Sequence, residues 1–357
     1  MTENKTKVLV AMSGGVDSAA SATLLQKEGY DPIGVTMVLN RTADSLACGG
    51  GDEVKDAAAL AAALGIEHMA VDYTEHFRTS VIEPFVRAYE AGETPNPCIL
   101  CNRTMKFGRL LSLADELGCD KIATGHYARV RFDEESGKYQ LLRAKNEKKD
   151  QSYVLYFLTQ RELSRILFPL GEFASKDEVR AVVTDIRKEN ATKKESQDIC
   201  FVPSGDYAAF IEGYTGHSYP HGDFIDITGK RLGEHRGLIH YTVGQRKGLG
   251  IALGAPMYVK EKSPINGTVT LATDAELYTD SCRVGDLSFV SGELPTEPLR
   301  CTVKTRYSAK EVGATVDVPN GNGVCTVHFD TPVRAATQGQ SAVFYSGEVV
   351  LGGGKIL

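Results

Sequence analysis

The chain has 357 residues, more than one hydrophobic core normally serves, so two or three domains are expected. Its composition, 42% hydrophobic and 24% charged, is ordinary for a folded protein and excludes a low-complexity or disordered chain. The net charge of −6 argues against a general nucleic-acid binder but leaves room for a local basic groove. The polar start MTENKTK does not read as a signal peptide, and no apolar run approaches the roughly 20 residues of a membrane helix, so a cytoplasmic protein is expected. In chain order, a strand is expected at Lys7–Met12, a helix at Val16–Glu28 and a strand at Ile33–Leu39. A helix at Glu53–Leu64, a strand at Glu67–Val71, helices around 75–91 and 103–117, and a strand at Lys121–Thr124 follow. Short apolar strands between amphipathic helices imply a parallel sheet covered on both faces, whose ligands lie beyond the carboxyl ends of the strands.

From about Phe210 glycine becomes frequent and helical periodicity fades, and after Ala275 nearly every segment alternates, as in RCTVKTRY and VCTVHFD. The fold class expected is therefore α/β, in three parts: a doubly wound parallel-sheet domain over 1–209, a small mixed central domain over 210–273, and an all-β barrel over 274–357.

The first expected strand ends in Ser13-Gly14-Gly15-Val16-Asp17-Ser18 and a helix follows. Two glycines let the backbone turn sharply, its N–H groups and the helix N-terminus attract an anion, and Ser13 and Ser18 add hydroxyls. This is a phosphate cradle, but no lysine follows the glycines as it would in a Walker A loop. SGGVDS resembles the pyrophosphatase loop of the N-type ATP pyrophosphatases. That resemblance implies cleavage of ATP between its α- and β-phosphates, with AMP passed to a substrate oxygen.

Eight cysteines stand at 48, 98, 101, 119, 200, 282, 301 and 325. In a reducing compartment such a scatter is not a disulfide framework. Cys119, Cys301 and Cys325 fall in apolar or alternating runs and are expected to pack; Cys48, before three glycines, is given no role. Cys98 and Cys101 form a CxxC in TPNPCILCN, and Cys200 lies in SQDICF. Together with SGGVDS, ATGHYAR, KDQSYVL and HYTVGQRKGLGI, these stretches resemble the tRNA-specific 2-thiouridylases over essentially the whole chain.

That resemblance implies ATP with Mg²⁺, a tRNA substrate, and a sulfur donor such as a cysteine desulfurase or a persulfide relay protein. It implies that Cys200 carries a persulfide and that Cys101 is its partner, ending as a Cys101–Cys200 disulfide. Cys101, at the start of the helix expected over 103–117, would gain thiolate character from the helix dipole. It further implies ATP contacts at Ala11, Met12, Ser13, Gly14, Gly15, Val16, Asp17, Ser18, Met37 and Gly125. Its implied tRNA contacts are Asn96, Pro97, Cys98, His126, Lys149, Asp150, Gln151, Arg306, Tyr307 and Gln340. The chain departs from the commonest pattern at Asn96-Pro97-Cys98, where many members carry an aspartate in place of Cys98. Three chemistries for the thiols stay open: a persulfide–disulfide pair, a [4Fe–4S] cluster on Cys98, Cys101 and Cys200 with one iron exposed, and a closed zinc site needing a fourth ligand. The C-terminal part holds more acidic than basic residues, so RNA binding there would rest on a few placed contacts such as Arg306 and Tyr307.

Overall fold

In the computed structural model, which describes residues 5–40, 51–184 and 199–357, β1 (Lys7–Ala11) is the middle strand of a parallel sheet. It pairs with β2 (Asp31–Val38) on one side and, on the other, with β4 (Lys121–Ala123). β3 (His68–Asp72) lies beyond β2. After a hairpin of β5 (Ala128–Asp133) and β6 (Lys138–Arg143), β7 (Ile166–Leu167) completes the order β3-β2-β1-β4-β7. Val8, Leu9 and Val10 are all fully buried, which is why β1 reads as an unbroken apolar run. Leu9 faces one core with Phe107, Leu110 and Leu113; Val8 and Val10 face a second with α1 (Val16–Lys27), α2 (Gly51–Leu64) and the Lys176–Thr184 helix. α1 is buried so widely that even Ser21 and Thr23 are enclosed; their hydroxyls donate back to the carbonyls of Asp17 and Ala19 one turn earlier.

The expected elements recur within two residues of their read positions up to β4, with one exception. The helix expected from about 103 begins at Pro97 and winds continuously through Pro97–Cys101, Asn102–Arg109 and Leu110–Glu116. The start moved because Asn96 caps it and Pro97 takes the first helical position, where its missing N–H costs nothing. The reading in chain order also stopped at Thr124 and missed the β5–β6 hairpin.

Four further strands, β8 (Gly222–Asp226), β9 (Arg231–His235), β10 (Tyr258–Ser263) and β11 (Thr268–Ala272), form a mixed sheet around Phe224, Val259, Val269 and Leu271. The last six are β12 (Tyr278–Phe289), β13 (Leu299–Lys304), β14 (Val312–Val316), β15 (Cys325–Arg334), β16 (Ser341–Ser346) and β17 (Val349–Ile356). β12 pairs with both β15 and β17, closing an antiparallel barrel. β6 pairs with β17, Val349 opposite Leu142 and Val350 opposite Leu141, so the hairpin continues the barrel's sheet. Among the described residues no helix is long and apolar enough to cross a membrane. Cys48 and residues 185–198, including Ser196, Gln197 and Asp198 of SQDICF, lie outside the described residues.

Candidate functional site

Past Ala11 the chain turns through Ser13-Gly14-Gly15 into α1. Gly14 has φ +70°, and a Cβ there would lie 2.8 Å from Asp56 Cβ and 2.9 Å from the Glu53 carbonyl oxygen of α2, so no side chain fits. Gly15 is the N-cap in an extended conformation, and no side chain caps the first turn of α1. The first N–H groups of this twelve-residue helix therefore face the loop with the helix dipole behind them. Ser18 Oγ accepts from the Ser13 N–H (3.2 Å) and donates to the Gly15 carbonyl (3.1 Å), fixing the curl of the loop. Gly125, just beyond β4, leans on the same loop: a Cβ there would come within 3.0 Å of Asp17 Cβ and 3.3 Å of the Ser18 nitrogen. Met12 is buried, and its carbonyl accepts from Thr36 Oγ1 at 2.7 Å. Val16 is buried too, while Met37 is half-buried at the end of β2.

The lysine absent from the loop arrives from elsewhere. Lys176, the first residue of its helix, pairs with Asp17 Oδ1 at 2.5 Å, and the Tyr127 hydroxyl donates to the same oxygen at 2.7 Å. Both Asp17 and Lys176 are largely shielded from solvent. Sequence reading missed Lys176 because 159 residues separate it from Asp17 and no local pattern links them. Uncapped N–H groups, two glycines that admit backbone close to a ligand, paired hydroxyls and a tethered ammonium together suit the phosphates of a nucleotide.

The CxxC rides the first turn of the 97–116 helix. Asn96 Oδ1 accepts from the Cys98 N–H at 3.1 Å, which sets the helix start beside the first thiol. Cys98 is exposed; Cys101, one turn on, is half-buried against a cluster that includes Phe77, Phe85, Met105 and Phe201. Cys200 packs on the same cluster. Its neighbour Phe201 is buried, with its ring 5.8, 5.2 and 5.3 Å from those of Phe77, Phe85 and Phe210. The turn is closed by the Val202 N–H donating to the Ile199 carbonyl at 2.8 Å. Two thiols about a hundred residues apart thus rest on one apolar cluster, which Met37 also touches. Among the described residues no three His, Cys, Asp or Glu side chains gather as a metal-holding group. The [4Fe–4S] cluster that remained open on sequence therefore finds no support in the described residues, where Cys98 is exposed and Cys101 and Cys200 pack on the aromatic cluster. The remaining thiols behave as packing groups: burial pushes Cys282 and Cys301 up to about 12 and Cys325 to about 11, and Cys119 is raised as well.

The residues expected at an RNA surface divide in two. Cys98 lies close enough to Tyr307 to raise that phenol, after burial and Asp150. Tyr307 remains 44% exposed and donates its hydroxyl to the Asp150 carbonyl at 3.0 Å. Lys149 is half-buried beside them. The side chains of several others turn inward. The Asp150 carboxylate accepts from the N–H groups of Ala144 and Ser152 (both 3.1 Å) and from Ser152 Oγ at 2.8 Å. Gln151 Oε1 accepts from the Tyr127 N–H at 2.9 Å. Arg306, just past β13, donates to the carbonyls of Val243 and Ala335 and to Thr337 Oγ1 at 3.1, 2.9 and 2.5 Å. Gln340 donates its amide to the Thr94 carbonyl at 2.6 Å. His126 is buried between Phe107 and Phe168, with Nδ1 2.7 Å from Thr124 Oγ1, and burial holds its pKa well below 6.5. Pro97 is buried in the cap of its helix.

Three family models match the chain: a tRNA methyl transferase HUP domain over residues 6–204, a tRNA methyl transferase PRC-barrel domain over 208–273, and an aminomethyltransferase beta-barrel domain over 279–356. The chain is 46% identical, over 99% of each sequence, to the tRNA-specific 2-thiouridylase MnmA of Acetivibrio thermocellus. It is 42% identical, over 98% of each, to the protein of the same name from Clostridioides difficile. Among solved structures, a 4-thiouridine synthetase in complex with RNA and ATP aligns at 18% identity with a TM-score of 0.39, over 56% of this chain and 45% of that one.

Proposed function

The chain belongs to the family of tRNA-specific 2-thiouridylases, which are tRNA sulfurtransferases, and from that premise we propose that it replaces the C2 oxygen of a tRNA wobble uridine by sulfur at the expense of ATP. A uridine C2 oxygen is a poor leaving group. In the proposed reaction it attacks the α-phosphorus of ATP and pyrophosphate departs, so that the oxygen can later leave with AMP. Ser13–Ser18, Gly125 and Lys176 would hold the phosphates; Mg²⁺ would screen them, with Asp17 the carboxylate inside the cradle. ATP supplies the phosphoryl group that turns the oxygen into a leaving group.

Sulfur then needs a strong nucleophile, and Cys200 is assigned that role as a persulfide. Its terminal sulfur bonds to C2 as AMP leaves. The Cys101 thiolate next attacks the inner sulfur of Cys200, the S–S bond to the transferred sulfur breaks, and a Cys101–Cys200 disulfide forms while sulfur stays on C2. A thiol reductant restores both cysteines, and a sulfur donor of the cysteine desulfurase or persulfide relay class reloads Cys200. The observation that carries this reading is the packing of Cys101 and Cys200 on one aromatic cluster in the domain whose central strand ends in the phosphate cradle. The family models' methyl-transfer label gives no task to such a cradle. The test is mass analysis of tRNA treated with the enzyme, ATP, a cysteine desulfurase with free cysteine as the persulfide donor, and a thiol reductant. Sulfur in place of oxygen, lost with Cys200→Ser, supports the reading; an added methyl, or a product that survives the loss of Cys200, refutes it.

A further inference from the structure

Between the Glu83–Glu90 helix and the capping Asn96 lie a few residues that carry the CxxC into place, and both other parts of the chain grip them. From the central sheet, Lys262 on β10 is buried, with its ammonium 3.3 Å from the Glu93 carbonyl and 5.3 Å from the centre of the Tyr89 ring. Pro264 follows so closely that a Cβ on Gly92 would come within 3.0 Å of its ring. From the barrel, Lys355 on β17 pairs with the Glu93 carboxylate at 2.7 Å. The Thr94 N–H donates to the Gln338 carbonyl at 2.9 Å, and the Thr94 carbonyl accepts from Gln340 at 2.6 Å. Gly339, at φ +91°, passes so close that a Cβ would meet Glu93 Cβ and the Thr94 nitrogen at 2.9 Å. Burial of Lys262 beside a neutral carbonyl lowers its pKa to about 8, a cost accepted at a site where the ammonium holds a backbone oxygen.

We propose that Glu93, held between Lys262 and Lys355, is the positioning residue for the Cys98–Cys101 turn, so that the central sheet and the barrel together set where these thiols stand relative to a bound RNA. The inference rests on the thiolation reading above. The barrel side that carries Tyr307 also fixes residues 93–94, so it joins the turn that bears the thiols to the surface that the thiolation reading gives to RNA. An ångström of displacement of Cys101 from the Cys200 sulfur that it attacks slows release of the thiolated product without touching ATP chemistry at the cradle.

The experiment uses the full chain as Lys262→Met, Lys355→Met and Lys355→Arg, with tRNA-dependent pyrophosphate release and 2-thiouridine formation followed together. The expected result is a fall of about fivefold or more in thiouridine formed per pyrophosphate released for both methionine variants, with pyrophosphate release itself within about twofold of wild type. Lys355→Arg, which restores the ion pair, recovers the ratio. An unchanged ratio, or a parallel fall of both products as general destabilisation would cause, overturns the proposal. Failure of the thiolation reading itself shows separately, as wild-type protein that releases no pyrophosphate with tRNA. In that case the clamp is read from alkylation of Cys101 by iodoacetamide, where a rate altered about threefold in Lys355→Met sustains it and an unaltered rate overturns it.

Discussion

At the scale of single residues, the account separates seven described cysteines by environment. Cys301 and Cys325 are buried and Cys282 is half-buried, all with raised pKa values, and the buried Cys119 is raised with them, so none is a nucleophile at neutral pH. Cys101 and Cys200 lie half-buried at the rim of an aromatic cluster. Cys200→Ser and Cys101→Ser should each lower thiolation about 10²-fold or more while tRNA-dependent pyrophosphate release continues, because in the proposed reaction activation of the oxygen precedes sulfur attack. Measuring both products from one reaction checks this, and loss of pyrophosphate release would contradict it. His126 sets a pH dependence whose sign is fixed by burial. Its folded pKa lies well below 6.5, so between the two values the unfolded chain holds a proton that the folded chain does not. Stability conferred at this site is complete above 6.5 and drains away as pH falls. Urea titrations of wild type and His126→Asn should show the wild-type advantage shrinking between about pH 7 and 5. An advantage that grows on acidification would mean that the ring is protonated in the fold.

At the scale of elements, strands and helices were legible where one physical signal dominates. VLVAM is apolar at every position because both faces of β1 are covered, and SGGVDS marks a strand-to-helix turn because only glycine fits the backbone of Gly14 against α2. The helix start at Pro97 was misread, since the cap Asn96 and the CxxC look like a loop until Pro97 is taken as the first helical residue. Asn96→Ala should cost about 1 kcal/mol of stability through the lost cap and fray the turn carrying Cys98. Denaturant unfolding gives the first, and faster alkylation of Cys98 the second; a variant as stable and as slowly labelled as wild type would show that the cap is idle. Lys176 was illegible for another reason. Its partner Asp17 is reached only through the packing of two helices distant in sequence, which periodicity does not encode. The internal hydrogen bonds of Asp150, Gln151, Arg306 and Gln340 were illegible for the same reason, since each joins segments that no local pattern links.

At the scale of the whole molecule, the texture change near Phe210 announced the β-rich half, but composition gave no hint that a hairpin from the first part would extend the barrel. That pairing places the fully buried Leu141 opposite Val350. Leu141→Ala should cost about 2–5 kcal/mol and lower hydrogen-exchange protection in β17 together with β6, since the two strands share one ladder. Protection lost in β6 alone would mean that the parts unfold independently. The hairpin, the Glu93 junction and the Tyr307–Asp150 hydrogen bond all join the α/β part to the barrel, and the proposed reaction needs that junction, since it runs nucleotide chemistry in the one and places RNA against the other. The most direct test of that account is the stoichiometry of the nucleotide products when the enzyme, tRNA, a cysteine desulfurase with cysteine, a thiol reductant and ATP labelled on the α-phosphate react together. The account predicts one AMP and one pyrophosphate for each 2-thiouridine formed, and neither without tRNA. Release of ADP, or thiouridine appearing without AMP, would contradict it.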